Sequence, residues 1–142
     1  MALSGTLGGE TVKVVYIAGR YRAPTPWGVE QNIQAAQAVA ALVWQAGHIA
    51  LCPHLNAAHL DGAHTDEQVL AGTMELLRRC DAVLLVPGWS TSAGTKAELV
   101  EAHRIGLPVF GAAGVDIDIS VQQLVAWAST PHPRGDGEPR EG

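Results

Sequence analysis

CDAVLLVPGWSTSAGTKAELVEAH, residues 80–103, joins a strand, a turn and a helix in one stretch. The apolar run Ala82–Val86 is entered through Asp81 and stopped by Pro87-Gly88. A short β-branched run of this kind reads as a buried strand of a parallel sheet. Pro87, Gly88, Ser90, Ser92 and Gly94 then form a turn cluster, and a helical run starts at about Thr95. Open α/β sheets bind ligands at the carboxyl ends of their strands, and helix N-termini attract anions. Ser92, Gly94 and Thr95 can therefore offer hydroxyls and backbone N–H groups to a phosphate, with Glu98, read as lying in the first turn, beside it. The same residues also fit an ordinary helix start, with Ser92 as N-cap and Glu98 favouring the positive end of the dipole.

The flanking chain supplies the rest of a doubly wound unit. Val12–Ile17 (VKVVYI) is a β-branched strand ending at Ala18-Gly19, and the loop Gly19-Arg20-Tyr21-Arg22 follows it. Pro24 and Pro26 mark the segment up to Gly28 as an exposed loop. Residues 29–46 have helical periodicity, with Ile33, Ala36, Val39 or Ala40, and Val43 on one face and Gly47 at C′. A second strand covers His48–Cys52, and a long polar loop with three histidines covers residues 53–65. Asp66–Arg79 is a helix with Val69, Leu70, Met74, Leu76 and Leu77 inward. A strand at Val109–Ala112 and a helix at Ile119–Ala128 end the pattern.

Alternating strands and helices predict a three-layer Rossmann-like or flavodoxin-like open parallel sheet of four to five strands, with helices on both faces. The expected organisation is a flexible lead-in over residues 1–11, one domain over 12–128 and a disordered tail over 129–142. With the first strand at the centre, its carboxyl end and that of Ala82–Val86 lie side by side at the switch point.

Composition narrows the function. The chain has 142 residues, 47% of them hydrophobic and 16% charged, with a formal net charge of −5. That balance argues against a nucleic-acid polymer as partner, which needs a basic face. Cys52 and Cys80 sit beside apolar runs and match no disulfide framework or zinc spacing. No apolar run reaches membrane-spanning length and no signal peptide is visible, so a cytoplasmic location and no membrane partner are expected.

Gly19, Tyr21, Arg22, Ser92 and Gly94 together can supply N–H donors, hydroxyls and a guanidinium to one phosphate. Arg20 and Arg22 read equally as surface charges when taken singly. A carboxylate near a bound sugar phosphate suits attack at an anomeric carbon, giving a glycosyl-enzyme intermediate. His54, His59 and His64 match no metal-ligand spacing, so no metal and no cofactor are expected. His54 or Asn56, just after a strand's carboxyl end, is a candidate base or sugar contact. Trp27 and Trp89 are placed in loops at the same rim, where one ring can stack on a base or form an apolar lid. Trp44 and Trp127 read as packing residues.

VYIAGRYR (15–22), the CPHLN segment (52–56) and DAVLLVPGWSTSAGTKAELVEA (81–102) resemble the nucleoside 2-deoxyribosyltransferase superfamily. The similarity spans most of residues 13–112. It is nearest to a small phage and bacterial branch of unassigned function, and next to the 2′-deoxynucleoside 5′-phosphate N-hydrolases. The resemblance implies that Glu98 is the nucleophile with Tyr16 close to it. It also implies that Gly19, Tyr21, Arg22, Ser92 and Gly94 surround a 5′-phosphate. It implies a homodimer or higher homo-oligomer in which a serine before the last helix completes the neighbour's site, and Ser120 is the nearest candidate. Thr73 stands where the family carries a catalytic Asp, so leaving-group protonation falls to Glu75, Asp81 or His54.

The resulting expectation is a hydrolase cleaving the N-glycosidic bond of a (deoxy)nucleoside 5′-monophosphate. The alternatives are base exchange by a nucleoside 2-deoxyribosyltransferase and, given Thr73, a nucleotide-binding module without turnover. Gly94-Thr95-x-x-Glu98 also echoes the cytokinin-type phosphoribohydrolases, although extra residues separate it from Pro87-Gly88.

Overall fold

The computed structural model describes residues 6–7, 10–57 and 64–130. Four parallel strands, β3 (Val14–Ala18), β4 (Ile49–Leu51), β5 (Ala82–Leu85) and β6 (Val109–Phe110), form one sheet in the order β4-β3-β5-β6. The register pairs Val15 with Ala50 and with Ala82, and Val83 with Val109. β3 and β5 are thus the inner strands, and every side chain of β5 is buried, which is why its sequence is continuously apolar.

Strand alternation divides the core in two. Val15, Ile17, Leu84 and Val86 pack with Ala36, Val39, Ala40 and Val43 of α1 (Pro26–Gln45) and Leu124 of α5 (Ile117–Ser129). Tyr16, Ala18, Val83 and Leu85 face the other way, toward Leu77 of α3 (Asp66–Arg78) and Ala102 of α4 (Ala93–Arg104). The three-layer α/β architecture follows directly from this alternation. Each large side chain so buried contributes about 1.5–3 kcal/mol relative to exposure.

Several elements differ from the sequence expectation. Pro26 opens α1 at its first position, where a missing N–H is harmless, and the Thr25 hydroxyl caps it by accepting from Gly28 N at 3.0 Å. Pro26 therefore starts a helix, while Pro24 stays in the loop before it, and Trp27 lies on the first turn. Pro53–Ala57 is a short helix, α2, within the region read as loop. Residues 58–63, with His59, lie outside the described residues, as do 131–142 of the expected tail. Within the expected lead-in, β1 (Thr6–Leu7) pairs antiparallel with β2 (Glu10–Thr11). Among the described side chains of α3 only Leu77 is fully buried, while Val69 and Leu70 are exposed. Trp44 is 56% exposed, so it is not a packing residue. Trp127 does pack, against Phe110 and beneath the Lys13 ammonium, 5.4 Å from the ring centre.

α3 and α4 are clasped together at their outer surface. Arg78 Nε donates to Glu101 at 2.7 Å, while Arg104 also binds Glu101, and Glu75 takes Arg79 and Arg78.

Candidate active site

The inner stripe of α4 runs Thr95, Glu98, Leu99, Ala102, at helical spacings of three and four. Thr95 and Ala102 are buried and Leu99 packs on the core. Glu98 therefore puts a carboxylate into a stripe where an apolar residue is expected, and remains half-buried. Directly opposite, Tyr16 of β3 is fully buried and its hydroxyl donates to Glu98 Oε2. Burial pushes the Glu98 carboxyl up to about 7, opposed by the Tyr16 hydrogen bond. Burial and the adjacent Glu98 charge in turn push the Tyr16 phenol far above its ordinary value. The Thr73 hydroxyl, on α3, donates to Leu70 O at 3.0 Å and acts on the Tyr16 phenol in the lowering direction, against the larger effect of burial.

The start of α4 is set by its cap. Ser92 Oγ accepts from Thr95 N at 3.1 Å and from Thr95 Oγ1 at 3.0 Å. Both bonds use its lone pairs, leaving its own proton to donate elsewhere. The helix begins at Ala93, so Glu98 lies in its second turn and not the first. A Cβ on Gly94 would meet nothing closer than Ser92 Oγ at 3.9 Å, so open space lies above the helix start.

The loop after β3 is tightly positioned. Gly19 sits where a Cβ would lie 2.6 Å from Val86 Cβ, so only glycine lets the two inner strands leave the sheet this close together. The Arg20 guanidinium rests against Gly88, within 3.3 Å of the position a Cβ would take, and Gly88 has a φ of +90°. Arg20 therefore bridges the two switch-point loops, while Arg22 is exposed. The His54 ring is buried, its Nε2 donating to Arg20 O at 2.6 Å, and it meets the Tyr21 ring in a T-shaped arrangement with centroids 5.7 Å apart. Burial lowers the His54 pKa, against the raising effect of the Arg20 and Gly19 carbonyls, and its Nε2 must carry a proton because a carbonyl only accepts. Asn32 of α1 donates to Tyr21 O at 3.0 Å and to Arg22 O at 3.3 Å.

The structure thus brings together Tyr16, Glu98 and Thr73, and holds Gly19–Arg22 beside the β5 turn. It does not bring Asp81 to them. That carboxylate lies at the amino end of β5, where Oδ2 accepts from Val14 N at 2.8 Å. Glu75 is also turned away, into its pairs with Arg78 and Arg79, and those cations hold its carboxyl below its ordinary value. Trp89 lies in a 3-10 turn (Trp89–Thr91), with its indole N–H donating to Gly111 O at 3.2 Å. Ser120 is fully buried and donates to Asp116 O at 3.3 Å, so it is not presented to a neighbouring subunit. The Asn56 side chain lies outside what the structure describes. Among the described residues there is no cluster of three or more metal-ligating side chains and no helix long and apolar enough to cross a membrane.

Asn32 escaped the sequence reading. Its signal was a poor helix former in an Ala-rich helix, beside the inward Ile33.

Fold and site together define an α/β protein with a carboxylate–phenol pair at the switch point of a parallel sheet. The chain belongs to the family described as Domain of unknown function (DUF4406), which matches residues 13–111. A solved 2-deoxyribosyltransferase from the psychrotolerant bacterium Bacillus psychrosaccharolyticus shares the fold. It has a TM-score of 0.52 and 19% identity, over 78% of this chain and 80% of that one. No curated protein matches the chain.

Proposed function

We propose that the chain cleaves the N-glycosidic bond of a (deoxy)nucleoside 5′-monophosphate, with Glu98 as nucleophile. The observation that carries this reading is the Tyr16–Glu98 pair, a desolvated carboxylate held by a buried phenol yet open to solvent on one side. Its position on α4 supports the same reading. Glu98 lies six positions beyond Ser92, a rise of about 9 Å. Helical side chains lean toward the N-terminus, so the carboxylate is drawn back toward the helix start. That leaves room for a pentose between a phosphate at Ser92, Gly94 and the Gly19–Arg22 loop and an anomeric carbon at Glu98.

In this mechanism the ionised Glu98 attacks the anomeric carbon and forms an ester as the carbon–nitrogen bond breaks. The bonding pair leaves on the base. Tyr16 orients the carboxylate, and the phenol stays protonated throughout. Among the described residues the hydrogen-bond partner of Glu98 is the Tyr16 phenol, which does not release a proton near neutrality. The departing base therefore takes its proton from water. A second water then attacks the anomeric carbon, releasing the sugar phosphate and restoring the carboxylate. A free base taking the place of that water would make the reaction a transfer.

Thr73 in place of an acid favours a second reading, a nucleotide-binding module that turns its ligand over slowly or not at all. A panel of nucleoside monophosphates assayed chromatographically for free base separates the two. Base release supports cleavage, and binding by calorimetry with no base after long incubation removes it. Adding a second free base distinguishes transfer from hydrolysis. In the same assays Arg22→Ala weakens a monophosphate by about 1.5–3 kcal/mol, the scale of a charge-assisted hydrogen bond, and weakens the matching nucleoside far less. Equal losses would show that no phosphate sits at that loop.

A further inference from the structure

We propose that His54 and Asn32 are positioning residues that preset the loop after β3 for a phosphate dianion; this rests on the phosphate reading above. Three successive carbonyls of that loop are each held by a side chain from outside it. His54 Nε2 takes Arg20 O at 2.6 Å, and Asn32 Nδ2 takes Tyr21 O at 3.0 Å and Arg22 O at 3.3 Å. The valences match, since a primary amide has two N–H donors for two carbonyls and the imidazole Nε2 has one N–H for the third.

A peptide unit is planar, with its N–H directed opposite to its C=O. Fixing the carbonyls of Arg20, Tyr21 and Arg22 therefore turns the N–H groups of Tyr21, Arg22 and Ala23 away from α1 and α2. Successive N–H groups presented on one side form a concavity suited to an anion. The holders come from α1 and α2 on the β4 side of β3, while Arg20 reaches across to Gly88 at the end of β5. The loop is thus pinned from one flank and anchored to the other. A segment with no regular secondary structure between Gly19 and Pro24 would otherwise have to be ordered by its ligand, and ordering it in advance strengthens binding. The ligand class selected is a phosphate monoester, because the uncharged nucleoside has nothing to place in the concavity.

The test is calorimetric titration of the full chain with 2′-deoxynucleoside 5′-monophosphates, the matching nucleosides and inorganic phosphate. In the unaltered protein at least one monophosphate binds more tightly than its nucleoside. Asn32→Ala, a half-buried site on the helix surface, lowers monophosphate affinity by about tenfold or more and nucleoside affinity markedly less. His54→Ala does the same. His54→Gln, whose side-chain amide can place an N–H near the Nε2 position, recovers most of the loss. Should His54→Ala fail to fold, Asn32→Ala and His54→Gln still decide the matter. If the unaltered protein discriminates but both variants lose the two ligands equally, or lose neither, the positioning role is wrong and the phosphate reading stands. If the unaltered protein shows no preference for monophosphates, the phosphate reading falls and the positioning role falls with it.

Discussion

Glu98 and Glu101 lie three residues apart on α4, yet their carboxyls sit at opposite ends of the accessible range. Glu98, on the stripe facing the sheet, is pushed up to about 7 by burial, with only the Tyr16 hydroxyl against that trend. Glu101, on the side facing α3, is brought down to about 2 by Arg104 and Arg78. One turn of helix separates a group that changes charge near neutrality from one that stays ionised under all ordinary conditions. Identical side chains, placed in a desolvated pocket or between two guanidiniums, acquire different chemistry. The outer carboxylate ties helices together, and the inner one is available to react.

The sharpest way to break this contrast is to remove the inner charge. Glu98→Gln lowers base release on the order of 10³-fold or more while nucleotide affinity is retained. Unchanged turnover, measured by free base, would remove Glu98 from the chemistry. The same variant is more stable than the parent at pH 8. The folded carboxyl holds its proton up to about 7 and the unfolded one only to 4.5, so the parent loses stability as pH rises between those values. Tm measured from pH 4 to pH 8 should show the difference opening across that window and vanishing below it. Groups that raise activity at the expense of stability are common at reactive sites.

Tyr16→Phe has a smaller and more particular effect. The phenol is the one influence that lowers the Glu98 pKa, so its loss raises that pKa further. Since attack requires the ionised form, the acid limb of the kcat profile moves to higher pH. Activity at pH 6 falls more than activity at pH 8. A uniform loss across pH would instead mean that Tyr16 acts through orientation or packing and not by setting the Glu98 pKa.

The sequence made the frame of this comparison legible but not its contacts. The apolar run before Pro87-Gly88 and the alternation of strands with helices were sufficient for the parallel sheet and for the neighbouring β3 and β5. Local chemistry was misread where one residue supports two conformations. Pro26 reads as a helix breaker, and becomes a helix starter only because Thr25 caps the turn. One residue decides the position of Glu98 as well, because the cap falls at Ser92 and the helix starts earlier than the Gly-containing turn implies. Long-range partners were beyond reach altogether. Nothing near Asp81 announces that its carboxylate is taken by Val14 N, or near His54 that its ring holds Arg20 O.

The outer carboxylate gives the control on which the contrast depends. Glu101→Gln removes the acceptor shared by Arg78 and Arg104, whose bonds to it are 2.7 and 2.8 Å long. Its folded pKa lies below its ordinary value, so its contribution is present above pH 4.5 and fades as pH falls toward about 2. This is the reverse of the Glu98 dependence. Ion pairs at a surface are weakened by salt, so the Tm difference between parent and variant should shrink from low salt to high salt. Base release and its pH profile should be unchanged, because the Arg78 and Arg104 pairs lie on the side of α4 facing α3 and the stripe facing the sheet is left intact. A shift in the acid limb on Glu101→Gln would mean that the two carboxylates sense one another along the helix, and that burial alone does not set the inner one.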